Sequence, residues 1–286
     1  MPLGVQIGVL FALLTAFASV VGFLYKHRGA VESPPVDGRR PIRSSLALFR
    51  SPWYSLGMAI AVGSWGFHVI ALSLAPITIV QSVIAGGLVL LTVSADRLFG
   101  FTVTKREWVG VGLIALGLAF LAATLDGTAD SRHSDYDAFT LAIYIALSGG
   151  AGLALAFAAW GRRALLVGVA AGLLWGASDV AIKALSGHLD AGAAAVFHPL
   201  ALVILVASLV GLTVSAKSLQ DGEAVPVVAA TSAAANLCTI ASGPIVFGEP
   251  LPQDPLGLAM RVAAFVLVIA AAALTPAPVR AAGFES

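Results

Sequence analysis

Charged residues are scarce in this chain: Asp, Glu, Lys and Arg make up only 11% of its 286 residues, whereas 59% are hydrophobic. Soluble domains contain about 25% charged residues, so a water-soluble fold would lack the polar side chains needed to cover its surface. The net charge is only +1, and no basic stripe with interleaved aromatic residues is present. The composition therefore predicts a protein embedded in the lipid bilayer and argues against a nucleic-acid partner.

Cysteine and the common catalytic motifs are almost absent. The single Cys238 rules out an intramolecular disulfide. The chain has no Gly-x-Ser-x-Gly, His-Glu-x-x-His or Walker sequence, the usual signatures of hydrolases, zinc peptidases and nucleotide-binding proteins. We therefore expect neither an enzyme nor a bound cofactor.

Long apolar stretches dominate the chain instead. Nine of them are each close to the ~20 residues that an α-helix needs to cross ~30 Å of hydrocarbon. The predicted spans 1 to 9 are 3–25, 54–74, 76–95, 107–124, 138–160, 164–186, 195–219, 225–247 and 256–275. The sequence thus predicts an all-α membrane protein with nine transmembrane helices.

Basic residues are distributed unequally between the predicted loops. Thirteen of the sixteen Lys and Arg residues lie on one side of an alternating topology, and the other side carries Asp126, Asp130, Asp135 and Asp137. Because basic residues in short loops remain cytoplasmic, we predict an outside N-terminus and an inside C-terminus. The basic loop 26–53 is predicted to be flexible cytoplasmic chain near anionic lipid. Arg outnumbers Lys twelve to four and Ala is abundant, which favours a GC-rich bacterial genome and hence a bacterial cytoplasmic membrane.

Landmarks of the first four spans recur in the last four. The matching segments are 19–26 and 176–183, which both end in Lys, Ala75-Pro76 and Val225-Pro226, and Asp96-Arg97-Leu98 and Glu249-Pro250-Leu251. Because five spans separate equivalent positions, the copies must cross the membrane in opposite directions, as in many alternating-access transporters. We predict two inverted four-helix repeats, 1–124 and 164–286, joined by a linking transmembrane helix within 125–163.

Several of these segments resemble known transporter families. Residues 175–183 (WGASDVAIK) resemble the first-helix signature of the EamA-type half of the drug/metabolite transporter superfamily, and the acidic-x-Leu sequences ahead of spans 4 and 9 are similar to that family's pattern. Residues 26–29 (KHRG), the basic loop after them and residues 72–81 (LSLAPITIVQ) resemble the NIPA-type branch. The resemblance implies a carrier of this superfamily, and its NIPA-type part implies magnesium transport.

A small set of polar side chains falls deep inside the predicted spans. Asp179 lies about 22 Å from the cytoplasmic start of span 6 at ~1.5 Å per residue, where an acidic group costs on the order of 3 kcal/mol and is usually functional. Lys183, one turn further, is predicted to pair with Asp179 or to extend to the outer interface. His68 and Gln81 fall at a similar depth, so we predict that they line a solute path with Asp179. Arg261 shares this depth, and its side chain either joins the layer or reaches the headgroups.

Other residues complete the predicted path and its packing. Asn236 lies near the midplane of span 8, and Trp175 is too deep for an interfacial aromatic, so each is a candidate lining residue. Glycine at every fourth position lets helices approach closely, and we predict this packing role for Gly168, Gly172, Gly176 and Gly22. These positions belong to two stripes: Gly168, Gly172, Gly176, Asp179 and Lys183 on span 6, and Gly8, Ala12, Thr15, Ser19, Gly22 and Lys26 on span 1.

Three functions suit these features. The first is a secondary carrier, driven by a gradient and not by ATP, that moves a small organic solute with Asp179 as its protonatable group. The second is a magnesium transporter of the NIPA type with Asp179 at the metal, although Mg²⁺ usually takes one or two carboxylates and keeps several waters. The third is a non-transporting scaffold subunit, whose function would not depend on Asp179. We favour the first, with the bilayer and the solute or cation as partners, and leave a homodimer open.

Overall fold

The computed structural model describes residues 2–36, 41–84, 86, 133–188, 195, 197–222 and 224–274, together with positions 109, 113, 116 and 117. Within these residues all regular secondary structure is helical. The α-helices, in chain order, are α1 Leu3–Val31, α2 Pro41–Ala47, α3 Pro52–Leu74, α4 Ala138–Ala159, α5 Ala164–Ser186, α6 Pro199–Asp221, α7 Ala224–Val246 and α8 Pro255–Leu274. A 3-10 turn at Leu48–Arg50 precedes α3, and residues 77–84 are also helical.

Five helices in the described part of the chain are long and apolar enough to cross a membrane, namely α1, α3, α4, α5 and α6. Their lengths of 22 to 29 residues correspond to about 33–44 Å at 1.5 Å per residue. The predicted helices at spans 1, 2, 5, 6 and 7 are therefore confirmed, and α7 and α8 are helices at the positions of spans 8 and 9. Span 3 beyond residue 86, nearly all of span 4, and the predicted acidic residues at 126 and 130 lie outside the described residues.

Capping side chains mark where two of the helices begin. Ser51 caps α3 by accepting a 3.4 Å hydrogen bond from the Tyr54 amide. Asp137 caps α4, with one carboxylate oxygen 2.8 Å from the Thr140 amide and 2.9 Å from its hydroxyl. Hydrogen bonds from the Thr140 amide and hydroxyl lower the pKa of Asp137. Between α4 and α5 the chain reverses at Gly161, whose φ of 67° suits a residue without a side chain.

Helix α5 is the most enclosed of the candidate spans. In its most apolar 18-residue window 67% of the residues are buried, against 17–33% in the other four helices. It packs against α4, α6 and α7 and also touches α3. Asp179 lies on α5, and its carboxylate contacts His68 of α3 and Gln81, so it faces other helices of the bundle.

Glycines allow α5 to approach α7 closely. A Cβ atom at Gly168 would lie 3.1 Å from the Thr231 hydroxyl oxygen, and one at Gly176 would lie 2.7 Å from the Cβ of Cys238. At Gly172 a Cβ would lie 2.8 Å from the Cβ of Ala234 and would collide with backbone of α7. The three glycines therefore face a neighbouring helix at backbone distance, the geometry that small-residue stripes permit in membranes.

Replacing Gly172 with Ala is expected to destabilise the protein, although Ala is the better helix former. The added methyl group meets the backbone of α7, and overpacking of this kind costs about 1–3 kcal/mol. The matched change Gly150→Ala on α4, where nothing lies within 4 Å of an added Cβ, should instead stabilise by about 0.5–1 kcal/mol. Thermal unfolding of the two purified variants in detergent should give shifts of opposite sign. Equal shifts would contradict the observed α5–α7 packing.

Helices α1 and α3 pack antiparallel over their whole lengths. A Cβ atom on Gly8 would lie 2.8 Å from the Cβ of Ala75, and a Cβ on Gly29 would lie 2.6 Å from the Cβ of Tyr54. The N-terminus of α1 thus meets the C-terminus of α3. Between these ends a Cβ on Gly22 would lie 3.1 Å from the carbonyl oxygen of Gly57, so this glycine also sits at a close helix contact.

The prediction of a flexible loop at 26–53 is wrong where the structure describes it. Helix α1 continues to Val31, α2 and the 3-10 turn occupy 41–50, and only 37–40 lie outside the described residues. The Gln220 side chain on α6 holds the segment between them: its oxygen accepts from the Val36 amide at 2.7 Å, and its nitrogen donates to Pro34 O at 3.0 Å and Ala30 O at 3.2 Å. The prediction rested on the basic residues of this segment and overlooked its apolar ones. Val36 is only 2% exposed and Leu48 is fully buried, so both anchor the segment to the protein.

Replacing Gln220 with Ala is expected to release residues 30–36 from α6. The change removes three hydrogen bonds that each contribute about 0.5–1.5 kcal/mol, so local opening of this segment should become at least ~10-fold more frequent. Hydrogen–deuterium exchange at the Val36 amide measures this opening. As the control, Gln253→Ala alters an exposed glutamine in the loop before α8 and should leave exchange at 30–36 unchanged. Unaltered exchange in the Gln220 variant would show that the segment is held by other contacts.

Candidate functional site

A cavity of about 350 Å³ lies between the helices at the level of Asp179. Side chains from α1, α3, α5, α6 and α7 and from the helical stretch 77–84 line it. A volume of this size falls at the lower end of small-molecule sites, which run from about 300 to 1,000 Å³. The space therefore suits a solute of modest size or a hydrated ion.

Three of the predicted polar residues meet at one end of this cavity. Gln81 donates a hydrogen bond of 3.1 Å from Nε2 to one carboxylate oxygen of Asp179. Nε2 of His68 lies 3.0 Å from the other oxygen, with side-chain exposures of 9% for His68 and 18% for Asp179. Neither ring nitrogen of His68 makes a hydrogen bond of good geometry within the described part of the chain. The carboxylate thus contacts residues of two other helical segments, and both ring nitrogens of His68 are buried.

Lys26 on α1 is a cavity residue that the sequence analysis did not single out as a site residue. The topology predicted from the sequence places Lys26 at the start of the basic cytoplasmic loop. In the structure it is only 5% exposed and lines the cavity. Its ammonium nitrogen lies 4.1 Å from the centre of the Phe23 ring and 5.5 Å from that of Trp175. The available signal was its place on the small-residue stripe of span 1, which also includes the cavity residues Thr15 and Ser19.

Two further predicted path residues also lie at the cavity. Trp175 and Asn236 both line the cavity, and Asn236 is 4% exposed. Several lining hydroxyls are partly satisfied by one another or by backbone: Ser19 and Ser64 are 2.7 Å apart, and Ser178 and Ser208 are 3.0 Å apart. These hydroxyls join helices, so a structural role accounts for them without a ligand.

Lys183 does not line the cavity and is a correction to the predicted path. Its side chain is fully buried, and Nζ donates to Leu72 O at 2.9 Å and to Ala75 O at 2.8 Å. Leu72 and Ala75 lie at the C-terminal end of α3, and the last four carbonyl groups of an α-helix have no hydrogen-bond donor within the helix. Lys183 therefore caps α3 from α5, and its amine reaches neither Asp179 nor the outer interface.

The loop between α7 and α8 adds further buried polar groups near Lys183. The Glu249 carboxylate accepts a 3.4 Å hydrogen bond from the Thr78 amide and is 4% exposed. Burial raises the pKa of Glu249, and the hydrogen bonds from Thr78 and the charge of Lys183 oppose that shift. Arg261 is 2% exposed and donates from Nη1 to Pro250 O at 2.6 Å, so it binds this loop and does not reach the headgroups.

The donor set for a tightly held metal ion is small. Among the described residues no group of three or more His, Cys, Asp or Glu side chains comes together. Asp179 and His68 are the nearest approach to such a group at the cavity. A cation there would have to keep most of its water ligands, which Mg²⁺ tolerates better than Zn²⁺ does.

Comparison with known proteins gives two relatives of low identity. The chain is 23% identical to the probable magnesium transporter NIPA9 of Arabidopsis thaliana over 267 residues, which cover 87% of this chain and 76% of that protein. It is 25% identical to an uncharacterized protein of Corynebacterium glutamicum over 286 residues, covering 97% of both chains. No family model matches the sequence, and no solved structure matches it. The likeness to NIPA9 supports a membrane transporter and points away from an enzyme.

Proposed function

We propose that this protein is a secondary transporter, independent of ATP, that carries a small organic solute through the cavity beside Asp179. The observation that carries the proposal is the partly buried Asp179 carboxylate, which accepts a hydrogen bond from Gln81 and lies 3.0 Å from His68 at the wall of the cavity. An ionisable group at this depth is expensive and is retained mainly where it serves a path or a proton relay. Its position on the most enclosed helix supports the same conclusion.

The proposed architecture is the nine-helix inverted repeat of the sequence analysis, with the N-terminus outside and the C-terminus inside a bacterial cytoplasmic membrane. Its support is the recurrence of landmarks between the two halves and the shared role of α1 and α5, the first helices of the proposed repeats. Both line the cavity, as expected for a site at the interface of two repeats. On this proposal the protein belongs with the drug/metabolite transporters, of which the EamA-like sequence at 175–183 is the mark.

In the proposed mechanism the Asp179 carboxylate binds a hydrogen-bond donor of the solute or a proton, and His68 is its proton-exchange partner. Gln81 holds one oxygen of the carboxylate in place, and the other faces His68. The two proposed repeats then rock around the occupied cavity, so that it opens to one side of the membrane at a time. A protonated Asp179 would return without solute, which couples transport to the proton gradient.

Magnesium is the second candidate cargo, and the likeness to NIPA9 favours it. The cavity chemistry supports it less, because Asp179 is the carboxylate among the described lining residues and the Lys26 ammonium shares the same space. A divalent ion would be repelled by that ammonium, and Mg²⁺ normally pairs with one or two carboxylates. A hydrated ion held through water at Asp179 is the form that this site would accept.

Ligand-dependent thermal stability of the purified protein distinguishes these functions. A ligand that binds only the folded state raises stability by about 2.7 kcal/mol at 100 times its dissociation constant. Stabilisation by organic solutes, with none by MgCl₂ or CaCl₂, supports the proposed carrier. Stabilisation by MgCl₂ alone supports the second candidate. A protein that responds to neither solutes nor ions, and gives no uptake in proteoliposomes, would be the scaffold subunit.

A further inference from the structure

The segment formed by α2 and the 3-10 turn after it carries apolar side chains both inside and outside. Leu48 is fully buried and belongs to an apolar cluster with Ala30 and Tyr54, so it fixes the segment to the helices. Leu46, in contrast, is 62% exposed, and Phe49 is 41% exposed although its ring meets that of Tyr54 edge-on. A segment with only water outside would carry polar residues at these positions. The outer side therefore suits contact with an apolar medium.

Two exposed arginines, Arg43 and Arg50, flank these apolar residues in the chain. Steps of three and four residues lead from Arg43 to Leu46 and on to Arg50, the spacing that places helical residues on one side. Within the described part of the chain neither arginine makes an ion pair or a side-chain hydrogen bond. Arg43, Leu46, Phe49 and Arg50 together form what we call the interfacial surface. It offers two positive charges without counter-ions beside exposed apolar side chains.

The interfacial surface lies at one end of two helices that are long and apolar enough to cross a membrane. Its segment connects the end of α1 at Val31 to the start of α3 at Pro52. At this same end Tyr25 and Trp53 stack in parallel with ring centres 5.7 Å apart, and the Arg28 guanidinium lies 3.9 Å from the centre of the Trp53 ring. Tyr and Trp are enriched at the level of the lipid headgroups. The surface is thus at headgroup depth, on the side that the charge pattern predicts to be cytoplasmic.

We propose that the interfacial surface binds an anionic phospholipid, whose headgroup pairs with Arg43 and Arg50 and whose acyl chains cover Leu46 and Phe49. Guanidinium groups match the geometry of phosphate oxygens, and anionic lipid attracts each basic residue that lies near the membrane surface. A zwitterionic lipid brings a cationic group of its own, which the two arginines would repel. The Ser45 hydroxyl donates a 3.4 Å hydrogen bond to the Thr213 hydroxyl of α6. Because the segment is joined to the bundle in this way, a bound lipid should stabilise the whole fold.

The test is thermal unfolding of the full-length protein in detergent, titrated with dioleoyl phosphatidylglycerol or dioleoyl phosphatidylcholine. A lipid that binds the folded protein raises its unfolding temperature, and the anionic lipid is expected to do so at the lower mole fraction. Replacing both Arg43 and Arg50 with Gln should raise the half-saturating fraction of phosphatidylglycerol about 30-fold, which corresponds to about 1 kcal/mol for each basic residue. Replacing Leu46 with Ser should raise it about 10-fold, because the acyl chains lose an apolar contact.

Replacing Arg162 and Arg163 with Gln is the matched control, since it removes two exposed arginines at the turn between α4 and α5, on the same predicted side of the membrane. It should change the half-saturating fraction less than about threefold. Without lipid, all three variants should unfold within about 2 °C of the wild type, because the replaced side chains are exposed. Equal losses in the two arginine pairs would overturn the assigned surface, as would equal stabilisation by the two lipids. Equal stabilisation by free glycerol phosphate would also overturn it, since the arginines would then bind a soluble anion.

Discussion

Replacing Asp179 with Asn should reduce proteoliposome uptake of the compound that stabilises the wild type about 10- to 100-fold. The carboxylate is the acceptor for Gln81 and lies 3.0 Å from His68, so it is the negative group that a solute donor or a proton would meet. Losing a charged hydrogen-bond partner costs about 1.5–3 kcal/mol, which corresponds to this range of rates or affinities. Acceleration of uptake by an imposed pH gradient should disappear with it, because Asn does not bind the transported proton.

The Asp179→Asn protein should remain folded, since Asn keeps an acceptor oxygen for Gln81. Its unfolding temperature is expected to stay within about 4 °C of the wild type. In a chain of this size such a shift corresponds to a change of about 1–2 kcal/mol in the free energy of unfolding. Asp221→Asn is the matched control, because Asp221 pairs with Lys217 at the end of α6 and not at the cavity. Full uptake with an intact response to pH in the Asp179 variant would exclude the proposed role of this residue.

Replacing Lys183 with Met should cause a large loss of stability. The ammonium donates to the carbonyls of Leu72 and Ala75 at 2.9 and 2.8 Å while fully buried. Each carbonyl left unsatisfied costs about 1–3 kcal/mol, and the buried Glu249 carboxylate loses a nearby positive charge. Met also removes the free-energy cost of burying an ammonium group, which offsets part of this destabilisation. We therefore expect a net loss of about 2–4 kcal/mol in the free energy of unfolding. The unfolding temperature should fall by about 4–16 °C.

The same Lys→Met change at position 217 provides the control for this experiment. Lys217 makes an i,i+4 ion pair with Asp221 at the end of α6, and such pairs typically contribute about 0.3–0.5 kcal/mol. Its unfolding temperature should therefore differ from the wild type by no more than about 2 °C. Comparable shifts in the two variants would show that the cap of Lys183 on α3 contributes little to stability.

Counting residues along the helices placed Asp179, His68 and Gln81 at one depth, and the structure brings the three side chains together. Depth follows from the fixed rise of a helix, so the sequence contains it. Whether three residues at one depth share a site depends also on the rotation of each helix about its axis. That rotation is set here by close helix contacts. Gly172 of α5 packs against α7, and Gly22 of α1 packs against α3; the pattern of one helix alone does not specify such contacts.

The two lysines show the same division more sharply. From the sequence, Lys26 and Lys183 close matching segments at equivalent ends of spans 1 and 6, and Lys183 looked the better site residue because of its distance from Asp179. In the structure Lys26 lines the cavity, and Lys183 is taken up by the carbonyls at the end of α3. A long flexible side chain binds whichever partner comes within reach, and the partners belong to other helices.

The sequence by itself determined that this is a helical membrane protein, where most of its described helices lie, and which rare polar groups are buried at what depth. These properties follow from hydrophobicity and helical rise, which act along one stretch of chain at a time. Only the tertiary structure decided that residues 30–36 bind Gln220, that Lys183 caps α3, and that Lys26 and Asp179 line one cavity. Each of those outcomes depends on contacts between residues far apart in the chain, formed when the helices pack together.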